Sequence, residues 1–338
     1  MNTYKLIKSF LTVLCIIIIT SCEKDDYELT TSPINIQAIN SVYDDFNIAT
    51  IPRIDNYTEL RFSTNRYSMG NDFDITSATI HFIYNENSEK LEHQIKFYYE
   101  HTSYYYTNYV KEILDSINTT YNELGPYHIW PIENSDHLQL FASDKAGNLD
   151  IYHIRSHYQS NIPDHQIFTC NYAALLNTDH EEGYPTLNKN RDELYFMSNR
   201  NGDFNIYEIS IPDIDKIEDL LATSNTNIIE CANELNSSKD DKCPFILDDV
   251  FVFSSNREGG LGGFDLYYSI NINGIWEAPQ NFGNQINSEF DEYRPVILEF
   301  KEYYKDLMLF SSDRPGGKGG FDLYYTEISK IDNFQNGP

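Results

Sequence analysis

Phe310-Ser311-Ser312-Asp313-Arg314, the run Pro315-Gly316-Gly317-Lys318-Gly319-Gly320, and Phe321-Asp322-Leu323-Tyr324-Tyr325 together decide the fold. The residues leading in, Leu307-Met308-Leu309-Phe310, are apolar on both faces of an extended chain, so the strand they form must be covered on both sides. The glycines supply the positive φ of a tight turn, and Phe321 to Tyr325 returns as the partner strand of a β-hairpin. One hairpin cannot bury both of its faces. A ring of small sheets stacked face to face can.

The pattern recurs along the chain. Phe253-Ser254-Ser255-Asn256-Arg257 is answered by Phe264-Asp265-Leu266-Tyr267-Tyr268, and Phe196-Met197-Ser198-Asn199-Arg200 by Phe204-Asn205-Ile206-Tyr207. Two more degenerate copies are Phe141-Ala142-Ser143-Asp144-Lys145 with Leu149-Asp150-Ile151-Tyr152, and Phe62-Ser63-Thr64-Asn65-Arg66 with Phe73-Asp74-Ile75. The leading Phe residues are 79, 55, 57 and 57 positions apart, and each copy follows a proline: Pro52, Pro131, Pro185, Pro244 and Pro295. Periods of this length mark solenoids and propellers.

The repeat resembles the WD40-like β-propeller repeat of the TolB type, over most of residues 49–328. That resemblance implies an all-β propeller of four-stranded antiparallel blades, with Trp276 to Pro279 and Ile286 to Pro295 supplying an outer strand and a crossover. Five blades are expected. The 79-residue gap after the first copy holds either an insertion, with a short helix at Tyr109–Ile117, or a sixth blade. The last copy stops at Ile328, and the spare segment 33–41 is expected to close the ring as its outer strand. The propeller is placed at 33–332, followed by a short tail, 333–338.

The N-terminus reads as an export signal. Lys5 and Lys8 precede an apolar run, Phe10 to Ile19, too short to span a bilayer. Ile19-Thr20-Ser21-Cys22 resembles a bacterial lipobox. This implies a signal peptide at 1–21, lipidation of Cys22, and an acidic tether at 22–32. Lys24-Asp25-Asp26 resembles a signal for display on the outer membrane's outer face. The expected location is therefore the outer membrane, lipid-anchored and surface-exposed.

The chain carries a formal charge of −28, and about −30 without residues 1–21, which argues against nucleic acid as a partner. Its 27 Tyr and 20 Phe exclude disorder for most of its length. In a disulfide-permissive compartment Cys231 and Cys243 could close a small bridge, leaving Cys170 free.

The repeated Asp74, Asp150, Asp265 and Asp322, and the repeated Arg66, Arg200, Arg257 and Arg314, read as structural, because a catalytic site occurs once per ring and a building device once per blade. They are expected to satisfy turn backbone groups and to pair with one another across each hairpin. No cofactor is expected; calcium at Asp240-Asp241 or in the turns is the one ion considered, without EF-type spacing. The nine His are scattered, and no nucleophile elbow, HExxH or phosphate loop occurs. The leading expectation is a non-catalytic binding or scaffold module for envelope proteins or glycans. The alternatives are a propeller enzyme acting on glycans or peptides, and a structural subunit of an envelope apparatus.

Overall fold

The computed structural model describes residues 32–52, 57–85, 90–96, 104–156, 168–300 and 303–330. The expected signal peptide, Cys22, nearly all of the expected tether and the tail at 333–338 lie outside the described residues.

The protein is an all-β propeller of five antiparallel blades. Blade 1 runs outward through Asp45–Pro52, Tyr57–Thr64, Asp74–Asn85 and Lys90–Lys96. Blade 2 is Glu123–Ile129, His137–Ser143, Asp150–Ser156 and Cys170–Tyr172, and blade 3 is Glu182–Leu187, Glu193–Ser198, Asn205–Ser210 and Glu230–Cys231. Blade 4 is Asp241–Leu247, Val250–Ser255, Asp265–Ile272 and the short Gln280–Asn281, with Ile275–Trp276 pairing the far end of its third strand. Blade 5 has Glu292–Leu298, Asp306–Ser312 and Asp322–Ile328, and its fourth strand is Ile34–Asn35 from the other end of the chain. Ile34 pairs with Tyr325 and Asn35 with Tyr324, so the expected clasp closes the ring. The long gap holds a lengthened blade 1 and a helix at Tyr104–Ile117, and no sixth blade.

The five leading Phe residues (62, 141, 196, 253 and 310) are buried, each facing the preceding blade. Every inner strand breaks register at one place, where a residue takes positive φ: Asn47, Gly125, Tyr184, Cys243 and Arg294. A proline follows directly in four blades (Pro126, Pro185, Pro244 and Pro295), a position where its missing N–H costs no ladder bond. Pro131, aligned with these in the sequence reading, instead lies beyond its strand, after Trp130. The five bulges project toward the axis, where Tyr184 fills the space that Gly125 leaves: a Cβ on Gly125 would stand 2.6 Å from the Tyr184 ring.

Candidate functional site

Two kinds of polar group meet in this ring: those present in every blade and those present once. The repeated set is more extensive than the strand motif suggested. Before each inner strand stands a hexapeptide of the form Asn-Ser/Thr-x-x-x-Asp/Glu, beginning at Asn40, Asn118, Asn177, Asn236 and Asn287. Each Asn side chain accepts from the N–H and donates to the C=O of one third-strand residue in the preceding blade. Each closing acid (Asp45, Glu123, Glu182, Asp241 and Glu292) donates its backbone N–H to the carbonyl at the end of the preceding blade's turn, at 2.7–2.8 Å. These seams account for five-fold spacing without any chemistry.

The repeated arginines serve the same device. Arg257 pairs with Asp241 at 2.5 Å and Arg314 with Glu292 at 2.7 Å, Arg200 reaches Glu182 at 3.4 Å, and Arg66 pairs with Asp45. Their partners are thus the inner-strand acids, not Asp74, Asp150, Asp265 or Asp322 as expected. The latter stand at the start of the third strand, on the far side of the hairpin turn. Asp265 accepts from the backbone N–H groups of Leu261 and Gly262, and Asp322 from those of Lys318 and Gly319, so turn satisfaction is the role seen in blades 4 and 5. In blade 2 the turn is short, and Asp150 receives only the Tyr172 hydroxyl at 3.2 Å. Burial, reinforced by Glu182 and Glu181 beyond, pushes its pKa up to about 6. Blade 2 also carries Lys145 in place of arginine, and its ammonium lies over the Tyr152 ring instead. Glu123 is left with Thr119 and Ser143 as donors, and burial raises its pKa.

The cysteines do not bridge. Cys231 is on the outer strand of blade 3 and Cys243 on the inner strand of blade 4, so the width of a blade separates them, and both are free thiols like Cys170. Asp240 and Asp241 are built into the seam between blades 3 and 4, Asp240 accepting from Phe204 N–H and Asp241 from Ser237 and Arg257.

The single-copy groups gather at one seam. Three and one residues before each leading Phe, the second strand faces the following blade. There the chain has Leu138/Leu140, Glu193/Tyr195, Val250/Val252 and Leu307/Leu309, but Glu59/Arg61 in blade 1. The opposite wall deviates as well. Gln139 stands where the other blades have Leu60, Leu194, Phe251 and Met308, and His128 where blades 3 to 5 have Leu187, Ile246 and Ile297. Both walls of the space between blades 1 and 2 are therefore polar, while the other four interblade spaces hold apolar clusters. The apolar packing that blade 1 lacks comes from the helix, whose Tyr109, Val110 and Ile113 pack on Phe141, Tyr152 and Ile154 of blade 2.

Within the seam, Arg61 Nε donates to Glu59 Oε1 at 3.1 Å, and both side chains are buried. Gln139 and Thr79 are also buried. Among the described residues, both ends of the Gln139 amide and the Thr79 hydroxyl have no partner. His128 Nε2 and His137 Nδ1 lie 3.0 Å apart. Burial first, then the charges of Arg61 and His137, hold His128 well below the usual histidine pKa, so it is neutral at pH 7. The Trp130 indole stacks on His137 with ring centroids 5.8 Å apart, and it is 57% exposed. Buried hydrogen-bonding groups with open valences, edged by an exposed aromatic plate, suit a ligand rich in hydroxyls. Sequence reading missed this site because it counted resemblances between the copies. Aligning them for polar residues at apolar positions would have found Glu59, Arg61, His128 and Gln139.

A polar cleft of about 490 Å³ lies between blades 2 and 3 beside Arg155, Glu218 and Lys216. Arg155 is already bound there by Asp136 at 2.6 Å and Glu218 at 3.0 Å. These two groups neutralise each other. Among the described residues no cluster of three or more His, Cys, Asp or Glu is arranged to hold a metal, and no helix is long and apolar enough to cross a membrane.

No family model and no curated protein matches the sequence. Among solved structures the fold is similar to a thermostable family-43 glycoside hydrolase, with a TM-score of 0.51 and 14% identity over 84% of this chain and 89% of that one. It is similar also to an endo-1,4-beta-xylanase from Bacteroides thetaiotaomicron, with a TM-score of 0.50 and 11% identity over 86% and 93%. At these identities the likeness shows the fold. It corrects the expectation of a non-catalytic binding or scaffold module, because the propellers this chain is similar to are enzymes on glycans, the class held second.

Proposed function

We propose that this propeller is a glycan-acting enzyme whose substrate enters at the seam between blades 1 and 2. The observation that carries the reading is the replacement of apolar residues by Glu59, Arg61, His128 and Gln139 on both walls of one interblade space. A buried seam of this kind costs stability unless something binds there. In the proposed complex a sugar ring lies on the Trp130 indole, and its hydroxyls take the free valences of Gln139 and Thr79. Glu59, held beside Arg61, is the carboxylate assigned to the glycosidic bond, since hydrolysis of such bonds is carboxylate chemistry. The shared architecture with glycoside hydrolases supports the class of reaction, and the seam supports the place.

Purified protein incubated with xylan, arabinan and galactan should release reducing ends from at least one of them. Glu59→Gln should lower kcat at least 100-fold with little change in KM. Trp130→Ala should raise KM while leaving the melting temperature within 1 °C. Absence of both release and binding across a broad polysaccharide panel overturns the reading. The same proposal keeps the enzyme on the cell envelope through a lipid on Cys22. Labelled palmitate should enter the wild-type protein and not Cys22→Ala, and protease should remove the propeller from intact cells.

A further inference from the structure

The propeller axis holds a buried cation, Arg294, that no group among the described residues neutralises. Arg294 is the bulge residue of blade 5, with φ of 52° and 0% exposure. It is the largest of the fully buried side chains. Its backbone N–H donates to Ser254 Oγ at 3.2 Å, which fixes the side chain's direction. Nη1 reaches the Pro244 carbonyl at 3.3 Å and the Tyr184 carbonyl at 3.5 Å, and the guanidinium carbon lies 5.4 Å from the Tyr184 ring centroid. Nε and Nη2 have no partner among the described residues.

Every other arginine held in a blade junction has a carboxylate: Arg66, Arg200, Arg257 and Arg314 each pair with an inner-strand acid. Arg294 has none among the described residues. The ionisable groups nearest to it are Cys243, Tyr184 and Tyr127, and burial pushes all three upward, the Cys243 thiol to about 11. At pH 7 they are neutral. Guanidinium does not give up its proton in proteins, and a buried, uncompensated charge is among the costliest features a fold can carry. A water molecule would occupy a donor but leave the charge.

We infer that a small monovalent anion of halide size sits on the axis against Nε and Nη2 of Arg294 and completes the core of the propeller. Complete burial of the residue limits the ligand to an ion that can be enclosed on folding, and two adjacent N–H donors match a single spherical acceptor. The site is separate from the seam between blades 1 and 2 and does not depend on what that seam binds.

The experiment is a chloride titration of the wild-type protein, dialysed into sodium gluconate and kept at constant ionic strength. Chloride and bromide should raise the melting temperature saturably, by about 3 °C or more at concentrations well above Kd, while gluconate, too large to enter, should not. Crystals grown in bromide should give an anomalous peak within hydrogen-bond reach of Nε and Nη2. Arg294→Met, an uncharged side chain of similar length, should lose both the titration and the peak. Equal stability in chloride and gluconate overturns the inference, as does a titration that survives in Arg294→Met or a bromide crystal with no axial peak. The measurements on wild-type protein decide the matter even if the variant fails to fold.

Discussion

Blades 4 and 5 meet through Val252, Leu266, Met308 and Phe310, whereas blades 1 and 2 meet across Glu59, Arg61, His128 and Gln139. Both junctions share the same backbone seam, the same Asn clamp and the same inner-strand acid. The difference lies in what the strands turn toward each other. One junction is a core that any blade could supply, and the other is a deviation kept once. In a repeat protein the stabilising groups recur and the groups kept for chemistry do not. Degenerate copies are therefore where function should be sought.

The comparison can be broken most sharply at one repeat position. Glu292 faces Arg314, while Glu123 faces no arginine. Glu292→Gln should cost about 3–5 kcal/mol in urea unfolding, because it leaves the Arg314 guanidinium without its carboxylate. Glu123→Gln should cost less than about 1 kcal/mol, because its partners are Thr119 and Ser143 and no cation is left unpaired by a neutral acceptor. Equal losses would mean that the blades are equivalent after all.

The two classes of glycine give the next effect. Gly125→Ala places a Cβ against the Tyr184 ring at a positive φ and should cost about 2–4 kcal/mol. Gly202, also at positive φ but with nothing within 4 Å of its missing Cβ, should cost about 1 kcal/mol as alanine. Melting curves of the two variants compare strain with strain plus clash.

Making the seam ordinary is the more informative change. Glu59→Leu and Arg61→Leu copy Leu307 and Leu309 of blade 5, and Gln139→Leu copies Leu60 and Leu194 of blades 1 and 3. The triple variant should be as stable as wild type or up to about 4 kcal/mol more stable, and inactive on glycans. A large loss of stability would show that the polar seam is structural.

The smallest effect concerns pH. Asp150 holds a proton in the folded state up to about pH 6, against an ordinary value of 3.8, so the folded protein binds more protons than the unfolded chain between those limits. Its stabilising share is complete below about pH 4 and is lost as pH rises through 6. The melting temperature of Asp150→Asn should lose that decline, and Asp265→Asn, whose carboxylate is held by turn N–H groups, should lose stability without removing it.

Much of the fold was legible because burial on both faces leaves a periodic mark. Phe62, Phe141, Phe196, Phe253 and Phe310 recur since each must fill the same gap, and the clasp could be read from an unfinished last copy and a spare first segment. The partner of each arginine was not legible. Pairing within a hairpin is local and could be guessed, but the inner-strand acids lie 16 to 22 residues earlier and come close only once the inner strand folds back.

The repeat, the count of leading aromatics and the acidic character follow from residue order and type alone. Which repeat positions face one another depends on how the blades stack into a ring. Blade stacking brings Arg61 of one copy close enough to His128 of the next for its charge to act there, residues that no local pattern connects. Ring closure likewise carries Arg294 to an axis where, among the described residues, no carboxylate stands beside it.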